Sequence, residues 1–426
     1  MRTPTSGVYV KSPCPRQHRP YFAFIAIRTL VVLATGIIAG CSDIDGPTGP
    51  KVSVCHAEGS VAAVREIFLS ELAVHKSHGD YVTHLEVSKL NTAGDSIHFT
   101  RITDALAVAR ASRITRNELD KAACRITIVV AAGTIPGSTV VSSDPAFELF
   151  PLIIDVPDIT LKGALKMQVD GGGRATGASE GGDATTFAPN PAVSTSGQFP
   201  AFVAERIIIV NGHPDGPKGH GAVIEGFVFQ SGRAPADTSA RGQGIGSWRV
   251  HDLAVLGNRF EGGFNSSMDL QETSARVERN HLSGRGSSCD ICLAGPGDYL
   301  ARDNRVLGGG APGILVLPAV SIPTPPQVEP YTLPATALVT ALIVNNEVRD
   351  HLRKPVGVGL RVGAVGVGAE SVAGTSKVTF TGNNLVNNTF GILIEGAFIS
   401  RTDPTQRRGN IEVTTSGNTF SQSCQN

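Results

Sequence analysis

An asparagine that is followed two residues later by an apolar side chain recurs in the second half of the chain. The six asparagines are Asn258, Asn280, Asn304, Asn346, Asn383 and Asn418. Subtracting successive positions gives spacings of 22, 24, 42, 37 and 35 residues. Recurrence on this scale indicates a solenoid, in which each repeat buries its apolar face only by stacking on its neighbours. The two shorter spacings fit one β-helix coil of about 22 to 24 residues, and the longer ones fit a coil plus an insertion.

Asparagine suits a corner between two strands of such a coil. It tolerates the left-handed backbone conformation, and its amide can bond to an asparagine one coil away, about 4.8 Å along the axis. A ladder of these residues would fix the register of the coils. Phe227 takes the asparagine position in an earlier coil. The alternative is a set of surface turns in an ordinary β-sandwich, which the constant offset of the apolar residue disfavours.

The segment before the repeats contains one helix and then strands. Residues 101–112 are alanine-rich with apolar Ile102, Leu106 and Val108, and Thr103 or Asp104 could cap them. Residues 126–135 form an apolar strand that reads Ala-Gly-Thr near its end. This succession resembles the N-terminal cap of pectate-lyase-like right-handed β-helices, and residues 150–163 resemble a family of uncharacterised β-helix surface proteins. We therefore predict an all-β right-handed parallel β-helix solenoid over residues 96–424, with a small N-terminal α/mixed cap.

The first 40 residues have the pattern of a secretory signal. They carry five basic side chains and no acidic one, and end in a twelve-residue apolar run before Cys41. That run is shorter than the roughly 18 to 20 residues that cross a membrane. Residues 38–41, Ile-Ala-Gly-Cys, resemble a bacterial lipobox, whose cysteine receives a lipid. We predict a signal peptide over 1–40, lipidation of Cys41 and a tether over 41–51. Ser42 resembles the sorting signal for the outer membrane, so we expect a lipid-anchored protein of the cell envelope.

The charge balance bears on the partners. The chain has 37 basic and 37 acidic side chains. Removal of the predicted signal peptide, with its five basic side chains, leaves a formal charge of −5. Without a basic block, nucleic acid is not expected as a partner. The predicted partners are the membrane, through the lipid anchor, and a glycan or a surface protein.

A cysteine and three histidines form a small module over residues 52–95. The candidate metal ligands are Cys55, His56, His75 and His78. His75 and His78 are three residues apart near a helix end, so they share a face, and a thiolate with imidazoles fits zinc. The alternative is a structural disulfide between Cys55 and Cys124 with solvated histidines.

The module resembles a short module of secreted bacterial proteins that opens with Val-x-Val-Cys-His and closes with His-x-x-His-Gly-Asp. In that module a further cysteine usually follows the Gly-Asp. Here residues 81–84 read Tyr-Val-Thr-His instead, so the fourth ligand or local disulfide that the resemblance implies is missing. Elsewhere, Cys289 and Cys292 favour buried stacking or a local disulfide over a redox pair, because they fall between strands rather than at a helix start.

Two functions are compatible with the sequence. The first is a non-catalytic scaffold or glycan- or protein-binding module. The second is a polysaccharide lyase or glycoside hydrolase acting in the β-helix groove, and resemblance to pectate lyases implies an arginine base and Ca²⁺-binding carboxylates. The nearest candidates for these are Asp269, Glu272 and Arg276. Sugar subsites also need aromatic platforms. The mature chain has only one Trp, Trp248, and three Tyr, which favours the non-catalytic function.

Overall fold

The computed structural model describes residues 50–58, 61–90, 97–114, 124–138, 147–189, 206–211, 219–231, 242–286, 289–309, 312–317, 338–351, 365–371, 375–388, 390–396 and 410–421. The predicted signal peptide and Cys41 lie outside these residues. In the part of the chain that is described, no helix is long and apolar enough to cross a membrane.

Most of the described chain belongs to three long parallel sheets. Sheet 1 contains His84–Val87, His98–Phe99, Ile126–Val130, Ile159–Lys162, Val223–Glu225, Leu253–Leu256, Ala275–Glu278, Gly297–Arg302, Leu338–Val344, Thr375–Thr381 and Asn410–Ser416. Sheet 2 contains Gly133–Ser138, Glu148–Leu149, Thr185–Pro189, Phe227–Gln230, Arg259–Glu261, His281–Gly286, Arg305–Gly309, Glu347–His351, Asn384–Val386 and Thr419–Ser421. Sheet 3 contains Leu152–Ile154, Arg206–Asn211, Gln243–Trp248, Ser266–Gln271, Ile291–Ala294, Ile314–Leu317, Val365–Ser371 and Phe390–Gly396.

The chain visits the three sheets in turn and then returns to the first. Leu253–Leu256 lies in sheet 1, Arg259–Glu261 in sheet 2 and Ser266–Gln271 in sheet 3, after which Ala275–Glu278 pairs in parallel with the starting strand. Parallel crossovers of this kind are right-handed. The predicted fold, a right-handed parallel β-helix, is confirmed.

The core is a set of apolar columns along the inside of the coils. In sheet 2 the register aligns Phe187, Phe229, Phe260 and Leu282, and the rings of Phe229 and Phe260 stack with centroids 4.7 Å apart. All four side chains are buried. Because strand residues alternate between faces, each inward residue of one coil meets its counterpart in the next.

The six repeated asparagines form a continuous ladder at the corner between sheets 1 and 2, in which all but the last, Asn418, are buried. Each side-chain amide donates to Oδ1 of the next asparagine, from Asn258 through to Asn418, over 2.9 to 3.2 Å. Each also donates to a carbonyl of the sheet 1 strand one coil earlier, as Asn304 does to Val277 at 2.8 Å. The first rung is Phe227, whose backbone N–H donates to Oδ1 of Asn258 at 3.0 Å.

The left-handed residue at this corner is the one before each asparagine, which corrects the expectation that the asparagine itself takes that conformation. Gly257, Arg279, Asp303 and Asn345 have φ between 54° and 59°. The preceding residue makes the bend, and the asparagine that follows it satisfies the backbone groups that the bend leaves exposed.

The N-terminal cap contains the predicted helix, Ile102–Ile114. Its first N–H groups are capped from a distance rather than by Thr103 or Asp104. The Glu148 carboxylate accepts from the backbone N–H groups of Ile102 and Thr103 and, at 2.7 Å, from the Thr103 hydroxyl. Asp104 instead pairs with Arg101. Burial raises the pKa of Glu148.

The Cys/His module is built on the antiparallel strands Lys51–Glu58 and Val61–Phe68, with Tyr81–Val82 pairing on the other side of the first. The 3-10 turn Leu69–Glu71 and the helix Leu72–Ser77 connect them. A disulfide joins Cys55 to Cys124. Sheet 1 already begins at His84–Val87, inside the range that the sequence assigned to the module.

A two-stranded hairpin, Met167–Val169 with Ala175–Ser179, lies against sheet 2. The carbonyl of Gly177 accepts from Nη1 of Arg259 at 3.0 Å. A Cβ at position 177 would stand 2.7 Å from the ring of His281, so only glycine allows the hairpin to lie this close.

Candidate functional site

A buried polar cluster lies on the outer face of sheet 3, centred on Asp269. Met268 and Leu270 on either side of it are fully buried in the core, so Asp269 points away from the core. Its carboxylate accepts from Nε2 of Gln243 at 2.9 Å and from Nε2 of Gln271 at 3.0 and 3.1 Å. The Arg206 guanidinium stands 3.7 Å from the same carboxylate. We call these four residues the Asp269 cluster.

The cluster is well shielded from water. Asp269 is 6% exposed, and both glutamines are 3% exposed. Burial raises the pKa of Asp269, while Arg206 and the two amide hydrogen bonds act in the opposite direction. Burial also lowers the pKa of Arg206. The carboxyl group of Asp269 is therefore desolvated, and the neighbouring donors of the cluster hold it in one orientation.

The absence of a side chain at Gly246 makes room for the Arg206 side chain. Gly246 pairs in register with Ile209 on one side and Asp269 on the other. A Cβ at Gly246 would lie 3.0 Å from Nη1 of Arg206 and 3.1 Å from its Cδ. The missing side chain thus leaves the space through which the guanidinium reaches towards Asp269.

The outer face opens towards the N-terminal end of sheet 3. Trp248 is partly exposed and pairs in register with Asn211 on one side and Gln271 on the other. Ile209 is also partly exposed, and Ile153 beside it is 37% exposed. We define the outer face as the Asp269 cluster together with Trp248, Asn211, Ile209 and Ile153. It combines an apolar and aromatic surface with a polar end.

A charged pair flanks the tryptophan. The Arg249 guanidinium lies 4.6 Å from the Trp248 ring centroid. Its Nε donates to Glu272 at 2.9 Å, and the indole N–H of Trp248 is 3.5 Å from the same carboxylate. Arg249 and Glu272 both have positive φ, at 51° and 46°, where the chain turns from sheet 3 towards sheet 1.

The three residues that the sequence indicated as catalytic candidates lie in different places in the structure. Asp269 lies in the cluster, and Glu272 lies at the adjacent turn, paired with Arg249. Arg276 lies in sheet 1 with a 59% exposed side chain, 3.9 Å from Glu278. It is therefore not the basic partner of Asp269, a position that Arg206 takes.

Sequence reasoning missed Arg206, Gln243 and Gln271. The alternation of apolar and polar residues over 266–271 places Asp269 and Gln271 on one face, and this signal could have been read. Arg206 comes from a strand two coils away, and only the strand register brings it beside Asp269.

A disulfide joins Cys289 to Cys292, which is one of the two structural roles that the sequence favoured over a redox pair. Cys292 pairs in register with Asp269, and the two cysteines form a small buried apolar patch with Leu315. This patch borders the Asp269 cluster on the side away from Trp248.

In the Cys/His module, the candidate ligands are also divided. Cys55 is held in its disulfide and is not available as a thiolate. His56 and His75 lie together, and the third member of their group is Asp80 rather than His78. His78 is exposed at the end of the helix.

Comparison with known proteins finds no matching protein-family model and no matching curated protein. Among solved structures, the chain is similar to the A-module of mannuronan C-5 epimerase AlgE4 from Azotobacter vinelandii, at 11% identity over 74% of this chain and 84% of that chain, with a TM-score of 0.36. It is also similar to DFA-IIIase from Arthrobacter chlorophenolicus A6 in complex with DFA-III, at 12% identity over 79% of this chain and 94% of that one, with a TM-score of 0.39.

A third similar structure is the PL6 family alginate lyase AlyGC, at 12% identity over 69% of this chain, with a TM-score of 0.28. This chain spans 36% of that protein. At TM-scores this low the likenesses carry no argument about function. The fold assignment rests on the strand register described above.

Proposed function

We propose that this protein binds a polysaccharide along the outer face of sheet 3. The observation that supports the proposal is the position of the chain's one tryptophan, Trp248, beside a carboxylate, an arginine and two glutamines on the same face.

Each part of this face has a role that suits a sugar. An aromatic ring packs against the apolar side of a pyranose, while carboxylate, amide and guanidinium groups exchange hydrogen bonds with its hydroxyls.

The cluster is also preorganised. The hydrogen bonds to Asp269 already hold both glutamine side chains, so binding would not need to order them. Less conformational entropy is then lost on association, which favours affinity.

The experiment is a binding screen of residues 42–426 against acidic and neutral polysaccharides. Asp269→Asn should weaken binding of any positive glycan by about tenfold or more, because an amide nitrogen replaces one of the carboxyl oxygens that orient both glutamines and Arg206. Arg276→Ala is the matched control, since this exposed arginine follows Asp269 closely in sequence but lies on sheet 1. Equal affinity in the wild type and Asp269→Asn would contradict the proposal.

A second candidate function is cleavage of the bound glycan, and the raised pKa of Asp269 supports it. A carboxyl group that stays protonated nearer neutral pH can act as a general acid towards a glycosidic oxygen. The test is to assay for unsaturated products and new reducing ends, with and without Ca²⁺. Loss of products in Asp269→Asn, at glycan concentrations high enough to saturate the weakened site, would support catalysis, and binding without any product would leave the first function alone.

We also propose that Cys41 carries the lipid anchor and that the protein resides at the cell envelope, in the outer membrane of a double-membraned bacterium. The sequence around Cys41 supports this. Mass spectrometry of the N-terminal peptide after export should find a diacylglycerol on Cys41. In Cys41→Ala the protein should leave the membrane fraction, and retention of an unmodified Cys41 in the wild type would contradict the proposal.

A further inference from the structure

Two imidazoles and one carboxylate converge in the Cys/His module. Oδ2 of Asp80 lies 2.7 Å from Nδ1 of His56 and 2.7 Å from Nδ1 of His75. The two rings stand edge to face with centroids 5.6 Å apart. The Asp80 side chain is 2% exposed, whereas the two histidine side chains are 17% and 23% exposed. The three groups therefore meet at the bottom of a partly open site.

Three different backbone elements position these groups. His56 lies on the strand Lys51–Glu58, and His75 lies on the helix Leu72–Ser77. Gly79 has a φ of 87°, which glycine adopts without strain, and turns the chain so that the Asp80 N–H donates to the His75 carbonyl at 3.1 Å. The disulfide at Cys55 fixes the residue next to His56.

We propose that His56, His75 and Asp80 bind a divalent transition-metal ion, zinc by their donor chemistry, through the two Nδ1 atoms and one carboxylate oxygen. Nitrogen and oxygen donors of this kind are common zinc ligands, and three protein ligands leave a coordination position open. Among the described residues, this is the one group of three or more histidine, cysteine and acidic side chains whose donor atoms lie within 4.8 Å of one another.

The geometry needs only a small adjustment to admit the ion. Donor atoms about 2.0 to 2.1 Å from a tetrahedral metal are about 3.3 Å apart, so each 2.7 Å contact must open by roughly 0.6 Å. Each Nδ1 must present its lone pair to the metal, so its ring proton moves to Nε2. The number of protons on each neutral imidazole is unchanged.

The proposed ligand set differs from the one that the sequence indicated. It contains Asp80, which spacing alone did not single out, and omits Cys55 and His78. This difference makes the inference testable independently of the glycan-binding proposal, because no residue of the outer face takes part.

The test is a titration of metal-free residues 42–426, with the disulfides intact, using Zn²⁺ and Co²⁺ as probes. We expect one equivalent to bind, with a Co²⁺ spectrum that lacks a thiolate charge-transfer band. His56→Ala, His75→Ala and Asp80→Asn should each lower affinity by about tenfold or more. His78→Ala is the matched control, a neighbouring histidine outside the group, and should bind as the wild type does.

His56→Gln is a second variant that keeps a donor towards Asp80, so it separates loss of a metal ligand from loss of the fold. It should keep the circular dichroism and the Cys55–Cys124 disulfide of the wild type while losing metal affinity. Absence of binding at micromolar metal would overturn the inference. So would binding that His56→Gln leaves unchanged, or that His78→Ala weakens as much as His75→Ala does.

Discussion

The side-chain amide of Asn280 donates to Oδ1 of Asn304 at 3.0 Å, and the backbone N–H of Asn280 donates to that same oxygen at 3.0 Å. One side chain thus satisfies two buried donors of the neighbouring coil. Asn304 in turn donates its own amide to Oδ1 of Asn346 at 3.0 Å and to the Val277 carbonyl at 2.8 Å. The ladder therefore links stacking of the coils to the backbone turn at each corner.

Asn304→Ala should destabilise the protein by about 3 kcal/mol, because it leaves several buried polar groups without partners. The measurement is urea denaturation followed by circular dichroism. Asn384→Ala is the control, since Asn384 is next to a ladder residue but only half-buried. A change no larger than that of the control would show that the ladder does not determine stability.

Arg279→Gly should stabilise the protein by about 1 kcal/mol. Arg279 is exposed with a φ of 54°, a conformation that is unfavourable for any residue with a Cβ and open to glycine. Gly257, Gly382 and Gly417 already occupy the equivalent corner in other coils. Arg276→Gly, in the middle of a strand, should be destabilising instead, and a loss of stability in both variants would contradict the role given to the corner.

His281 should remain neutral from pH 8 down to about pH 5. Burial and the positive charges of Arg305 and Arg259 lower its pKa from 6.5 to about 4. The unfolded chain takes up a proton near pH 6.5 and the folded chain does not, so the stabilising contribution is present above pH 6.5 and is lost as pH falls towards 4. The loss should amount to about 3 kcal/mol by pH 4.

Unfolding free energies of the wild type and His281→Gln, measured from pH 7.5 to pH 4, test this expectation. The difference between the two should change in favour of the variant as pH falls. Parallel profiles, or an NMR titration of His281 with a midpoint near 6.5, would contradict it.

Gly246→Ala should weaken glycan binding without unfolding the protein. The added Cβ would crowd the Arg206 guanidinium and move it away from Asp269. Isothermal titration calorimetry with a positive glycan should show a loss of about tenfold, equivalent to one displaced charged contact. Gly171→Ala is the control, because a Cβ there meets nothing within 4 Å.

The sequence predicted the features that depend on local pattern. The asparagine spacing indicated a solenoid, and the helix Ile102–Ile114 followed from its composition. Features that depend on which strands become neighbours were not predictable in the same way. Arg206 and Asp269 lie on strands two coils apart, and the segments that separate these coils differ in length, so their positions in the sequence do not predict that they meet. Glu148 likewise caps a helix from which it is distant in sequence, and no local cap pattern reveals it.

The metal ligands were only partly predictable for the same reason, because the contacts between them depend on how the chain folds back. Residue type identified His56 and His75, but Asp80 joins them only because the turn at Gly79 brings the chain back. The sequence alone is compatible with Cys55 as a metal ligand or as a disulfide partner. The structure places Cys124 beside it, and the two form a disulfide.

The most direct test of the central claim is a fluorescence titration of residues 42–426 with oligosaccharides prepared from the polysaccharides that the screen identifies. Trp248 is the only tryptophan of the chain, so its emission reports on the outer face alone. We predict a saturable shift or quenching of Trp248 emission, weakened by about tenfold in Asp269→Asn and unchanged in Arg276→Ala. Glycan binding, measured independently, that leaves Trp248 emission unaltered and is insensitive to Asp269→Asn would place the binding site elsewhere and contradict the account.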